Sequence, residues 1–235
     1  MKQIFAVSSV LVGLASQVLL VAFLLDFTPV GINRGEPPMP WLAIVNNVAL
    51  LALFALPHSL MARPAFKRRW RLLVPDAIER SAYIFVSGAL LALLCLAWQP
   101  MPTLLWQLDH ELARGALRLL FAAGLLVLAW SIFSIDALHF HGLKQAFGRR
   151  DDPPFAMRGP YRYVRHPIQS GLIVALWATP DMTAGHMLFA SVLTFYSVTA
   201  SLMLEERDLR SAIGDSYREY RSRVPAFIPA LRRRG

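Results

Sequence analysis

The chain has 235 residues, of which 56% are hydrophobic and only 17% charged, with a mean hydropathy of +0.45. Soluble domains run at about 45–50% apolar and about 25% charged, so an ordinary soluble core is excluded. A net charge of +9 invites a nucleic-acid reading, but Lys and Arg sit between apolar stretches, as in loops that face anionic lipid, and the lone Cys95 excludes internal disulfides and cysteine-rich metal sites.

Ile4 to Leu25 carries no charge, and at about 1.5 Å per residue it crosses a hydrocarbon core of about 30 Å. It leads to Asp26 and Phe27 without a cleavage signature, which predicts a retained first span. Residues 26–40 hold Asp26, Arg34, Glu36 and Pro29, Pro37, Pro38 and Pro40, an irregular loop. Trp41 to about Leu56 is a second span, with Asn46 and Asn47 expected to hydrogen-bond to other helices. A basic loop with Arg63, Lys67, Arg68, Arg69, Arg71 and Arg80 precedes a third span, Ser81 to Trp98. Asp109, His110 and Glu111 mark another loop, and Leu117 to Ile135 is the fourth span.

Residues 138–167 are basic again, with Lys144, Arg149, Arg150, Arg158, Arg162 and Arg165. Ile168 to Pro180 is apolar but reaches only about 20 Å as a helix. Pro180-Asp181 reads as a turn, and Met182 to Leu204 as a full-length return helix. From Glu205 onward Leu209, Ile213, Tyr217, Tyr220 and Val224 recur at helical steps, an amphipathic surface helix with Gly214 as its weak point. The expected fold is all-α: a polytopic membrane bundle of about six spans, including a C-terminal hairpin, plus a cytoplasmic amphipathic helix. It forms a single domain over 1–235, with four spans in 1–137 and a cofactor-binding loop, hairpin and final helix in 138–235.

With an inside N-terminus, every one of the 24 Lys and Arg residues except Arg34, Arg114 and Arg118 lies on the inside. The positive-inside rule therefore predicts both termini in the cytoplasm. It also gathers the reactive-looking residues on one face: His58 to Pro64, Asp136 to Gln145, Gly159 to Gly171, and Glu205-Glu206.

Each group has a plain reading beside a functional one. Gly159-Pro160-Tyr161-Arg162-Tyr163-Val164-Arg165-His166-Pro167 is either a headgroup anchor or an anion-binding turn. Glu205 and Glu206 are either solvated or paired with Arg165 or a cationic ligand, and about 100° of divergence on a helix gives them different partners. The spacing of His58, His139 and His141 matches no standard metal motif, so no metal is expected. Asp136, ionisable near a span's end, is expected to face a cavity or a partner.

The run from Gly159 to Pro167 with Gly171, then Glu205-Glu206-Arg207-Asp208-Leu209, Gly214, Tyr217, Tyr220 and Val224-Pro225, resembles the C-terminal signature of the isoprenylcysteine carboxyl methyltransferase and phospholipid methyltransferase superfamily. One difference is Gln169, where many members carry an aromatic residue. His58-Ser59-Leu60-Met61-Ala62-Arg63-Pro64, Glu79-Arg80-Ser81-Ala82-Tyr83, Trp98-Gln99-Pro100-Met101-Pro102, Gly142-Leu143-Lys144-Gln145 and Trp177 to His186 are similar to the bacterial methanethiol S-methyltransferases within it.

The resemblance implies a membrane enzyme that uses S-adenosylmethionine to turn methanethiol into dimethyl sulfide, in the bacterial inner membrane. The other acceptors it leaves open are an isoprenylcysteine carboxylate or a lipid amine, and relatives linked to nitrogen-oxide metabolism suggest a non-enzymatic membrane protein. By resemblance, Arg165, His166, Pro167 and Gly171 line the cofactor pocket, with Glu205 or Glu206 near the amino group. Gly159 and Tyr161 shape a loop over the adenine, and Gln145 is a further contact. His58, at the cytoplasmic end of the second span, is either a base for the thiol or a bond to a neighbouring helix. Arg63 and Arg80 either bind headgroups or brace the site. The implied partners are the volatile thiol and membrane lipids.

Overall fold

The computed structural model describes residues 1–27, 29, 31–148 and 157–230; Arg149, Arg150 and Arg232 to Arg234, counted above as inside charges, lie outside them. In chain order the helices are α1 (Lys2–Leu24), α2 (Pro40–Met61), α3 (Pro64–Trp70), α4 (Asp76–Leu96), α5 (Glu111–Ile135), α6 (Ala137–Phe140), α7 (Leu143–Ala146), α8 (Pro167–Trp177), α9 (Ala184–Thr199), α10 (Glu206–Ile213) and α11 (Asp215–Arg223). A 3₁₀ turn spans Gly159–Arg162 and a π-helical stretch spans Ala200–Glu205, joining α9 to α10.

Among the described residues, five helical stretches are long and apolar enough to cross a membrane: α1, α2, α4, α5 and the continuous run Ala184–Ile213. The remaining apolar helix, α8, has 11 residues and falls short of the roughly 20 a crossing needs. The expected short arm of the C-terminal hairpin is therefore this helix. The amphipathic tail breaks at the predicted point, where Gly214 takes φ +73 between α10 and α11, a backbone region that suits a residue without a Cβ.

Helix starts follow the prolines. Pro40, Pro64 and Pro167 each occupy the first turn of α2, α3 and α8, where the missing N–H leaves no bond unmade. Charged first turns extend α4 and α5 beyond their apolar cores, with Asp76 and Glu79 in one and Glu111 in the other, as a helix dipole favours. The sheet was not anticipated: β1 (Leu104–Gln107) pairs with β2 (Asp181–Thr183) in two strands, so the return helix begins at Ala184.

The chain divides into two units, one of residues 1–106, 138–152 and 181–192, the other of 107–137, 153–180 and 193–235. In the first unit α1 packs on α4, and a Cβ on Gly88 would lie 3.1 Å from the Gly13 Cα, so two small residues set the crossing. Phe23, Trp98 and Phe189 form a ring cluster with centroids 5.4–6.0 Å apart. Asn47 Nδ2 donates to Gln99 O at 2.8 Å, and Asn46 Nδ2 to Ala97 O at 3.1 Å. The two asparagines thus tie α2 to the backbone just beyond α4. In the second unit α5 and α8 interlock, because a Cβ on Gly171 would meet the Gly124 carbonyl at 2.5 Å and one on Gly124 would meet the Gly171 carbonyl at 2.7 Å.

Candidate active site

In the second unit, the chain just before α8 is held in a fixed shape. Gly159 has φ +52, and a Cβ there would collide with Ser134 Oγ on α5, so the 3₁₀ turn lies directly against the end of that helix. Tyr161 O accepts a hydrogen bond from Tyr220 Oη at 2.7 Å. His166 is the N-cap of α8, and Pro167 fixes the helical geometry behind it.

The segment after α11 returns over this turn. Arg165 N donates to Pro225 O at 2.9 Å, and His166 N to Ala226 O at 3.0 Å. Ser170 Oγ donates to Phe227 O at 2.8 Å, and the Phe227 ring lies 5.4 Å from the His166 ring. Arg165 Nη1 also donates to the carbonyls of Val224 and Arg221.

Glu206, with 1% of its side chain exposed, is the charge at the centre. Arg165 donates to its Oε1 from Nε at 2.9 Å and from Nη2 at 2.6 Å. Arg221 Nε stands 3.0 Å from Oε2, and His166 Nε2 is 3.2 Å from Oε1. A buried carboxylate is tolerated only with such compensation. Glu205 differs: its side chain is 42% exposed, and its Oε2 is 3.6 Å from His166 Nδ1. The neighbouring glutamates therefore have different main partners and share one histidine. The π-helical stretch that ends at Glu205 changes the angular step there, a distortion that recurs at functional sites.

Three phenols surround this cluster. Burial pushes Tyr217 up to about 12, and burial first, then neighbouring charge or phenol, pushes Tyr161 and Tyr220 in the same direction. They stay protonated at any physiological pH.

His58 and Gln145 belong to the first unit. His58 Nε2 is 3.1 Å from Tyr83 Oη, its Nδ1 is 3.1 Å from Ser87 Oγ, and Phe54 stacks on the ring at 5.2 Å. Arg80 lies 5.0 Å from the Tyr83 ring centroid and donates from Nε to Phe140 O at 2.8 Å. Arg80 thus braces α4 against the α6–α7 segment. Gln145 Nε2 is 3.2 Å from His139 Nδ1, while its buried Oε1 has no hydrogen-bond partner among the described residues. Asp136 ends α5 with φ +96, a left-handed conformation that costs a non-glycine residue about 1–3 kcal/mol.

Of the expected residues, then, Arg165, His166, Glu205 and Glu206 lie together in one network, with Gly159 and Tyr161 in the turn just before it and Pro167 opening α8 just after. Gly171 makes its close approach to α5. Sequence reasoning missed Arg221, Ser170 and Phe227 around that network, and Tyr83 and Ser87 around His58. Arg221 had a signal, since it falls four residues after Tyr217 on the same helix face. Phe227 had none.

The sequence matches the model of the NnrU protein family over residues 47–229. A methanethiol S-methyltransferase of Mycobacterium tuberculosis is 44% identical over 192 residues, 80% of this chain and 78% of that protein. Methanethiol S-methyltransferase 1 of Bradyrhizobium diazoefficiens is 39% identical over 233 residues, 96% of this chain and 81% of that one. A methanethiol S-methyltransferase of Pseudomonas deceptionensis is 38% identical over 211 residues, 87% and 80% of the two chains. No solved structure matches.

Proposed function

The chain belongs to the NnrU protein family, and from that premise we propose that it is an S-adenosylmethionine-dependent methyltransferase that converts methanethiol to dimethyl sulfide at the cytoplasmic side of a bacterial inner membrane, with both termini inside. The observation that carries this reading is the likeness to methanethiol S-methyltransferases over most of the chain, at 38–44% identity in the three relatives described.

The second unit fits such a donor chemically. S-adenosylmethionine, when bound, supplies a methyl group on a sulfonium, together with an ammonium, a carboxylate and an adenine. Glu205 is the carboxylate left accessible, and it would receive the ammonium. Arg165 and Glu206 hold one another and fix His166, so their part in the pocket is to keep its wall in place. Gly159 and Tyr161 would cover the adenine, with Pro167 and Gly171 setting how α8 approaches. In the first unit, Gln145, whose buried Oε1 has no hydrogen-bond partner among the described residues, suits a donor N–H or O–H of a small ligand.

In such a transfer the thiol would give up its proton to a base and its sulfur would take the methyl group, the donor supplying that group and leaving as a neutral thioether. Opposite charges cancel along the way, so a dry, apolar site favours the transition state, and in-line alignment does most of the remaining work. His58 is the proposed acceptor of the thiol proton, with Tyr83 and Ser87 able to reorient their hydroxyls around it.

Headspace gas chromatography of membranes containing the chain, supplied with S-adenosylmethionine and methanethiol, tests the proposal. Dimethyl sulfide should rise with time and with protein. Donor binding without dimethyl sulfide would move the acceptor to an isoprenylcysteine carboxylate or a lipid amine. No donor binding at all would overturn the enzyme reading in favour of a non-enzymatic membrane protein.

A further inference from the structure

The segment 62–75 joins α2 to α4, two helices long and apolar enough to span the bilayer, and so lies at the membrane boundary. One side of α3 is docked. Phe66 and Trp70 stack with ring centroids 5.5 Å apart and pack against the core of Met61, Tyr83 and Ile84. Two cations on this segment are committed to the fold: Lys67 Nζ is 3.5 Å from Glu79, and Arg71 is 3.0 Å from Asp76 and 3.2 Å from Glu79. Arg63 Nε donates to Ser59 O at 3.1 Å.

The other side is different. Arg68 and Arg69 are exposed, and neither side chain has an ion-pair or hydrogen-bond partner among the described residues. The turn that follows presents Leu72 and Leu73, which are 84% and 80% exposed. Two uncommitted guanidiniums beside two bare leucines, where a chain leaves one spanning helix for the next, complement a phosphate layer above an acyl layer. Water satisfies the guanidiniums but not the leucines, and hydrocarbon alone does the reverse.

We propose that Arg68, Arg69, Leu72 and Leu73 form a docking edge for anionic phospholipid, with the leucines entering the acyl boundary and the guanidiniums resting on headgroup phosphates. The Glu79 cluster holds this edge against α4. This inference is independent of the methyl-transfer chemistry and is read without measuring it.

The test uses the full chain in vesicles of phosphatidylcholine alone and of phosphatidylcholine with phosphatidylglycerol. A Leu73→Cys variant carries a fluorophore at position 73, and quenching is compared between a shallow nitroxide lipid and aqueous iodide. Lipid retained through purification is counted by mass spectrometry in the unlabelled protein and in the double variant Arg68→Gln/Arg69→Gln. We expect quenching by the nitroxide lipid and protection from iodide. We also expect retention of phosphatidylglycerol over phosphatidylcholine that falls roughly fivefold per arginine removed, with an unchanged melting temperature in detergent. Equal retention of the two lipids by the unaltered chain would overturn the proposal, as would quenching by iodide alone. Protection from both quenchers that grows with protein density would assign the edge to a second copy of the chain, and would equally overturn it.

Discussion

His166 and His58 sit in contrasting surroundings. His166 stands between two carboxylates, one buried and held by two arginines, the other partly open. His58 stands between two neutral hydroxyls, against an aromatic ring, inside a spanning helix. Charges fix position, because removing one member leaves its opposite buried and unpaired. Hydroxyls fix less, because each can turn to donate or accept. The first arrangement suits a rigid wall for a charged ligand, and the second suits a group that passes a proton.

The contrast breaks most visibly at Glu206. Glu206→Ala leaves Arg165 and His166 without their shared acceptor and should cost about 3–5 kcal/mol, read as thermal unfolding in detergent. An equal loss from Glu205→Ala would erase the distinction between the two glutamates. Gly171→Ala leaves every charge in place but drives a Cβ into the Gly124 carbonyl. Its expected cost is about 1–3 kcal/mol, by the same measurement. Around His58 the effects should be smaller: Tyr83→Phe removes one hydroxyl from a histidine that keeps Ser87, and should cost about 0.5–1.5 kcal/mol.

Much of this was legible in the sequence, for reasons that differ by element. The spans follow from charge-free length, the short arm from the distance between Pro167 and Pro180, and the break at Gly214 from a glycine inside a helical stripe. The pairing of Glu206 with Arg165 was one of two readings that the pattern left open. The β1–β2 pair, the π-helical stretch and the left-handed Asp136 were not legible, because tertiary packing and not local preference creates them. Phe227 illustrates the limit best. The ring against His166 comes from the far end of the chain, while the sequence showed only that Gln169 stands where many members of the superfamily carry an aromatic.

A pH-dependent effect lies with the phenols. Tyr217 is raised to about 12, with Tyr161 and Tyr220 moved in the same direction, so the folded state holds these protons when the unfolded chain has begun to lose them near pH 10. Their contribution to stability should be constant below that pH and fall as pH rises from about 10 toward 12. Phenolate absorbance followed alongside unfolding checks both the sign and the window.

Titration calorimetry of S-adenosylhomocysteine into the purified chain and its Glu205→Gln and Glu206→Gln variants, each with its melting temperature, goes straight to the division of labour between the glutamates. Glu205→Gln should keep the melting temperature and weaken binding at least about tenfold, the loss of one charge-assisted contact, while Glu206→Gln should lower the melting temperature first. Binding unchanged in Glu205→Gln, in protein that melts like the unaltered chain, would contradict the assignment of Glu205 as the residue that receives the methyl donor.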